Sequence, residues 1–88
     1  MININILGLN INYIEQGEGD NVLILPGWGT NYNVYKNLID NMSKYAKVYY
    51  FDMPGFGKSE EPKEAWNTDN FIELVKEFIK INKIDNIT

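Results

Sequence analysis

The stretch VYYFDMPGFGKS, residues 48–59, joins an apolar run to a glycine-rich turn. A run such as Val48 to Phe51, without alternating polar residues, is typical of a strand buried on both faces of a parallel sheet. The segment VLILPGWGTN at 22–31 repeats the same order of a short apolar run followed by glycines. Two such strands with a helical segment between them indicate an α/β domain. Their two turns are then expected at the carboxyl edge of the sheet, where open α/β folds bind ligands.

The letters GKS that end the first stretch also occur at the end of a phosphate-binding P-loop. That loop requires a glycine five positions before Gly57, and this position is Asp52, whose carboxylate would repel phosphate. The GWG at 27–29 lacks the third glycine of a dinucleotide-binding fingerprint, because the required position is Tyr32. Both nucleotide-binding interpretations are therefore disfavoured.

Composition narrows the function classes further. A chain of 88 residues has room for one small domain, and its 44% of hydrophobic residues predicts a packed core. The formal net charge of -4 is the opposite of the basic surface that a nucleic-acid-binding protein needs. The sequence has no Cys and no His, which excludes disulfides and thiolate metal sites and removes the commonest general base. We expect no metal and no cofactor.

The N-terminal residues MININILG alternate apolar and polar side chains and lack a basic start. This pattern predicts a strand rather than a signal peptide or a membrane span. We therefore expect a cytoplasmic protein without membrane association.

Periodicity predicts the remaining elements. Alternation on either side of Leu7-Gly8 predicts a β-hairpin over 2–16. The expected order after it is a strand at 22–25, a helix at about 32–45, a strand at 47–51, a helix at about 69–82 and the start of a strand at 85–88. The first helix should bury one apolar face, made of Val34, Tyr35, Leu38, Ile39, Met42 and Tyr45. Asn67 or Thr68 should cap the second helix.

In this order and spacing, four segments resemble the α/β-hydrolase superfamily, with the microbial carboxylesterase-like members as the most similar. They are NILGLNINYIEQGEG, VLILPGWGTNYNVYKNLI, VYYFDMPGFGKSEEP and WNTDNFIELVKEFIKINKIDNIT. The resemblance implies a partial α/β-hydrolase fold, in which the hairpin precedes β-α-β-α units in a mostly parallel sheet. It implies hydrolysis of an ester or related acyl compound by the complete enzyme, with a small-molecule acyl substrate.

The resemblance also implies site residues. The backbone N–H of Trp28 would be an oxyanion-hole donor, and Gly27 and Gly29 would let the chain approach the substrate. The alternative is that this segment is only a tight turn with Trp28 packed beneath it, which is the expectation for the 88-residue chain alone. Phe56 is expected either to pack in the core, like the other aromatic residues, or to line the pocket mouth. Pro26 stands where the family usually has a His that supports this loop, so the rigidity of the loop is expected to have another source.

Asp52 and Ser59 are predicted to be structural. Asp52 is expected to accept hydrogen bonds from the tight turn that follows it. Ser59 is expected to be a turn hydroxyl rather than a nucleophile, because the chain has no His to activate it. The family's nucleophile lies on a Gly-x-Ser-x-Gly elbow after the fifth strand. Residues 1–88 are thus predicted to be the N-terminal portion of one hydrolase domain, ending before that elbow.

Two functions follow from these expectations. In the first, the chain is the N-terminal segment of an α/β-fold hydrolase and is inactive alone, since it contributes the oxyanion-hole loop but no triad residue. In the second, it is a non-catalytic, stand-alone binding or assembly module derived from this fold. In either case we expect marginal stability and self-association through the apolar strand 22–25.

Overall fold

The computed structural model describes residues 2–27, 32–55, 57, 59–64 and 66–84. The elements in these ranges are β1 (Ile2–Ile6), β2 (Leu9–Gln16), β3 (Asp20–Ile24), α1 (Tyr32–Met42), β4 (Ala46–Phe51) and α2 (Thr68–Ile81). Each element predicted within the described ranges is present, with ends displaced by at most three residues. The strand predicted at 85–88 lies outside the described residues.

The N-terminal hairpin forms as predicted. β1 and β2 pair antiparallel, with Ile4 beside Ile11. The turn between them has positive φ at both central residues, 52° at Leu7 and 81° at Gly8. Two consecutive positive φ values are typical of the tight turn whose twist matches that of a hairpin. The sequence predicted this conformation for Gly8 alone.

The four strands form one sheet in the order β1-β2-β4-β3. β2 pairs antiparallel with β4, whereas β3 pairs parallel with β4, with Val22 beside Val48. Among the described strands the sheet is therefore mixed rather than mostly parallel, because the hairpin supplies two of its four strands. The predicted α/β class is confirmed.

The two helices cover opposite faces of the sheet. Alternate residues of β4 point to opposite faces: Tyr49 and Phe51 pack on the side of α2, and Val48 and Tyr50 pack on the side of α1. All four side chains are buried. An unalternating apolar strand is the expected result of this double coverage.

Helix α2 is built as its sequence predicts. The side chain of Asn67 accepts the Asn70 N–H, and the side chain of Asn70 accepts the Asn67 N–H, so the two residues form a capping box. Leu74 and Phe78, one turn apart, are fully buried against the sheet. Such a cap contributes about 1 kcal/mol, and most of the stability of the helix comes from its buried face.

Helix α1 differs from the prediction. It ends at Met42 rather than near residue 45, and the chain leaves it through a four-residue turn in which the N–H of Tyr45 bonds to the C=O of Met42. Ile39 is fully buried, but Val34 is 64% and Leu38 is 49% exposed. Only part of the apolar face therefore packs on the described sheet.

The placement of the helices predicts where the next strand of this sheet belongs. A parallel crossover is right-handed in nearly all proteins. The first crossover runs from β3 to β4 with α1 on one face. A crossover that leaves β4 with α2 on the other face must therefore move back across β3, and the next parallel strand is expected beside β3.

Candidate functional site

The carboxyl ends of β3 and β4 bring together the two glycine-rich turns. β3 and β4 are parallel neighbours, so Leu25–Gly27 and Asp52–Gly55 emerge at the same edge of the sheet. Because the next parallel strand is expected beside β3, we expect the chain to reverse its direction of winding there. An edge at such a switch point is the usual position of a ligand crevice in open α/β sheets.

The first turn is attached to helix α1 by a side chain. The backbone N–H of Gly27 donates a hydrogen bond to the hydroxyl oxygen of Tyr35, with an N–O distance of 2.9 Å. Pro26, immediately before it, is buried. Because Pro26 has a fixed φ and Gly27 is bonded to the helix, the start of this turn has a defined position.

The Tyr35 ring is itself supported by the sheet. Its centroid lies 5.6 Å from that of Tyr50, and the Tyr32 ring lies 5.9 Å from Tyr50 on the same face. Tyr50 is fully buried in β4. Aromatic rings at these separations attract one another, and here they join helix α1 to the strand beneath it.

The second turn begins at a buried carboxylate. The hydroxyl of Tyr50 donates a hydrogen bond of 2.7 Å to Oδ1 of Asp52, and Asp52 is only 1% exposed. Burial is the main cause that raises the pKa of Tyr50 above its ordinary value, and the hydrogen bond to Asp52 adds to it. The hydroxyl therefore stays protonated and remains available as a donor.

Asp52 also lies directly beneath Gly57. Gly57 has a φ of 55°, and a Cβ at this position would overlap the Asp52 carboxylate. This close approach explains why a glycine occupies the position. Asp52 is thus part of the structure of the turn, as predicted. Its predicted bonds to backbone N–H groups of the turn stay a prediction, and its bond to Tyr50 is an additional partner.

Ser59 is a structural hydroxyl. Its Oγ accepts the Asn12 N–H at 2.9 Å and donates to the Asp52 carbonyl oxygen at 2.6 Å, in a buried position. The bond from Asn12 ties the β4 turn to strand β2, and the bond to Asp52 closes the turn itself. A hydroxyl that is engaged in this way serves as a link, and the predicted turn role is confirmed.

An apolar groove of about 320 Å³ lies beside this edge, between α2 and the ends of β3 and β4. It is lined by Leu25, Met53, Thr68, Phe71, Ile72, Val75 and Lys76. Leu25 is 54% and Ile72 is 47% exposed, so the groove opens to the surface.

Of the four site residues predicted from the sequence, the structure describes Gly27. Trp28, Gly29 and Phe56 lie outside the described residues. The sequence analysis missed the roles of Tyr35 and Tyr50. The spacing of Tyr50 and Asp52 was a usable signal, because residues two apart in a strand point to the same face.

The described part of the chain contains no group of three or more acidic or other ligating side chains that could hold a metal ion. Its helices are also too short or too polar to cross a membrane.

Comparison with known proteins gives consistent matches. The family model of the alpha/beta hydrolase fold matches residues 20–88. A pimeloyl-[acyl-carrier protein] methyl ester esterase of Shewanella woodyi is 46% identical over 70 residues, which cover 80% of this chain and 24% of that protein. A 2-hydroxy-6-oxo-6-(2'-aminophenyl)hexa-2,4-dienoic acid hydrolase of Metapseudomonas resinovorans is 29% identical over 85 residues, which cover 93% of this chain and 29% of the relative.

Solved structures agree with these matches. An esterase from Exiguobacterium antarcticum superposes with a TM-score of 0.89 at 25% identity, over 98% of this chain and 33% of its own. The chain therefore spans between about a quarter and a third of the length of these relatives.

Proposed function

This chain belongs to the alpha/beta hydrolase fold family, and from this premise we propose that it is the N-terminal part of an ester hydrolase domain, in which it provides the oxyanion-stabilising loop. The observation that carries the proposal is the position of Gly27. Its N–H is bonded to Tyr35 at the carboxyl end of β3, beside the expected position of the next strand. The backbone N–H of the following residue, Trp28, is the proposed oxyanion donor.

The proposed chemistry is acyl transfer. When a nucleophile attacks an ester carbonyl, negative charge develops on the carbonyl oxygen. A fixed N–H aimed at that oxygen stabilises the transition state, and the loss of one such donor costs about 3–4 kcal/mol. A backbone donor at Trp28 would serve whatever side chain is present. The relatives' names support an ester or related acyl substrate, since one is a methyl ester esterase.

The nucleophile and its base come from elsewhere in this proposal. The 88 residues contain no His and no Gly-x-Ser-x-Gly sequence, and Ser59 is engaged in two structural hydrogen bonds. Without a nucleophile and base, an oxyanion hole and substrate binding leave only residual catalysis. We therefore expect the 88-residue chain to be inactive on its own and to act as part of a larger hydrolase domain.

Two assays test the proposal. The isolated chain should show no hydrolysis of p-nitrophenyl acetate above a blank. Turnover that survives repurification and is lost in Ser59→Ala would contradict it. In a complete enzyme that contains this segment, Trp28→Pro, which removes the donor, should lower kcat far more than Trp28→Ala. Equal losses in two folded variants would overturn the role of Trp28.

A second candidate function is a non-catalytic assembly module. The exposed apolar residues after β3 and on helix α1 favour it, because Leu25, Val34 and Leu38 would gain coverage from a second protein surface. Self-association through the region of strand 22–25 is the corresponding proposal. The solution mass of the chain tests it.

A further inference from the structure

We propose that Tyr35 is the positioning residue that holds the oxyanion loop in this chain, through the hydrogen bond that its hydroxyl accepts from the Gly27 N–H. This inference rests on the proposed function for its catalytic meaning. The hydrogen bond itself is tested without any turnover. The role suits a chain with Pro26 before Gly27, because a proline has no N–H and no side-chain polar group with which to tie the loop down.

The first step of the argument is geometric. The Gly27 nitrogen lies 2.9 Å from the Tyr35 oxygen, an ordinary hydrogen-bond distance. Tyr35 lies in the first turn of α1, eight residues further along the chain, so the bond closes the loop between β3 and the helix. A donor at the next residue can point consistently only if the backbone that carries it has a fixed starting position.

The second step is that the Tyr35 ring packs on a buried and hydrogen-bonded side chain. The ring packs against Tyr50, and Tyr50 is fully buried and bonded to Asp52. Asp52 lies directly against Gly57 in the other turn. The rings and hydroxyls thus form one connected path from the β4 turn, through the strand, to the β3 turn. We call this path, Gly27–Tyr35–Tyr50–Asp52–Gly57, the tyrosine brace.

The chain offers a matched control for the brace. Tyr32 belongs to the same helix and packs on the same ring of Tyr50, with centroids 5.9 Å apart. Both tyrosines are half-buried. Replacing either by Phe removes one hydroxyl and keeps the ring. A general effect of losing a tyrosine hydroxyl from α1 should therefore appear in both variants, whereas loss of the Gly27 bond should appear only in Tyr35→Phe.

The test is amide hydrogen exchange on protein labelled with nitrogen-15 in glycine only, which gives signals from just seven glycines. Gly55 is the internal reference, because its N–H donates to the carbonyl of Glu60, in the other turn. Tyr35→Phe should speed Gly27 exchange by about fivefold, the factor that corresponds to an ordinary net hydrogen bond of about 1 kcal/mol. Gly55 exchange should stay unchanged, and Tyr32→Phe should leave Gly27 as in the wild type.

Three results would overturn the proposal. The first is a Gly27 amide that exchanges at the unprotected rate in the wild type, which needs no variant to be observed. The second is unchanged Gly27 exchange in Tyr35→Phe. The third is an equal increase at Gly27 and Gly55, which would report general loosening rather than loss of one bond. None of these results depends on esterase activity, so the brace can fail while the proposed function stands, and the reverse also holds.

Discussion

The hairpin side of the molecule and the β3 side use similar apolar residues with different results. On the hairpin side, Ile11 of β2 and Phe78 of α2 are completely buried. Immediately after β3, Leu25 is 54% exposed, and Val34 of helix α1 is 64% exposed. β2 has a strand on each side and helix α2 packed over it, whereas β3 has a described strand neighbour on one side only. This difference is the basis of our proposal that the β3 side accepts further polypeptide.

The largest expected effect comes from removing a side chain on the hairpin side. Phe78 contacts the rings of Tyr13, Tyr49 and Phe51 and is fully buried. Phe78→Ala should lower the free energy of unfolding by about 3–5 kcal/mol, enough to unfold a marginal domain. Ile72→Ala, in the open groove that Leu25 also lines at the end of β3, should cost less than about 1 kcal/mol. Urea denaturation followed by circular dichroism measures both, and similar losses would break the comparison between the two sides.

A smaller loss of stability is expected when a glycine in the turn after β4 is replaced by alanine. Gly57→Ala places a methyl group into the Asp52 carboxylate at a positive φ, whereas Gly8→Ala in the hairpin turn meets nothing within 4 Å. The hairpin variant should cost about 1–2 kcal/mol for the backbone conformation alone. The Gly57 variant should cost more, because Asp52 or the turn has to move. Equal losses in urea denaturation would show that the Asp52 turn is not tightly packed.

The smallest expected effect is the change of the free energy of unfolding with pH. The pKa of Tyr50 is raised by burial and by its bond to Asp52, and burial also raises the pKa of Tyr13. A raised folded-state pKa contributes stability that is fully present below the unfolded tyrosine pKa of about 10 and is lost as the pH rises above it. The free energy of unfolding should therefore decline above about pH 10. In Tyr50→Phe this decline should be shallower, with a loss of about 1–3 kcal/mol at pH 7 from the missing bond to Asp52.

Denaturation curves between pH 7 and pH 11 check this prediction. Tyr32→Phe, which keeps Tyr50 and Asp52 intact, is the control and should follow the wild-type decline. A Tyr50→Phe protein with an unchanged slope would show that other groups carry the alkaline loss.

The sequence was sufficient for elements whose signals are local. Leu7-Gly8 marked the hairpin turn. Asn67 or Thr68 marked the start of α2, because a cap bonds within its own first turn, and Asn67 is the cap in the structure. Periodicity identified the apolar face of α1 but could not show which of its residues are buried and which are exposed. Whether Val34 or Ile39 is covered depends on which neighbours are present, and this is a property of the tertiary structure.

The sheet edge that carries the candidate site was predictable from the sequence, but the hydrogen bond that fixes the first turn was not. The order of strand, turn and helix places Gly27 and Asp52 at one sheet edge, because parallel strands share their carboxyl ends. The acceptor of the Gly27 N–H is a hydroxyl eight residues away on a helix. No local pattern specifies that bond, since it depends on how α1 packs on Tyr50.

The central claim is that the β3 side binds further polypeptide. The solution mass of the chain tests this claim most directly. Size-exclusion chromatography with light scattering would compare the wild type with two matched variants. Leu25→Lys alters the β3 side, and Ile2→Lys alters β1 at the opposite edge, where Ile2 is 49% exposed. We predict self-association of the wild type at high micromolar concentration, lost in Leu25→Lys and kept in Ile2→Lys. A monodisperse wild-type monomer that unfolds cooperatively would contradict the claim. So would an equal loss of self-association in Leu25→Lys and Ile2→Lys.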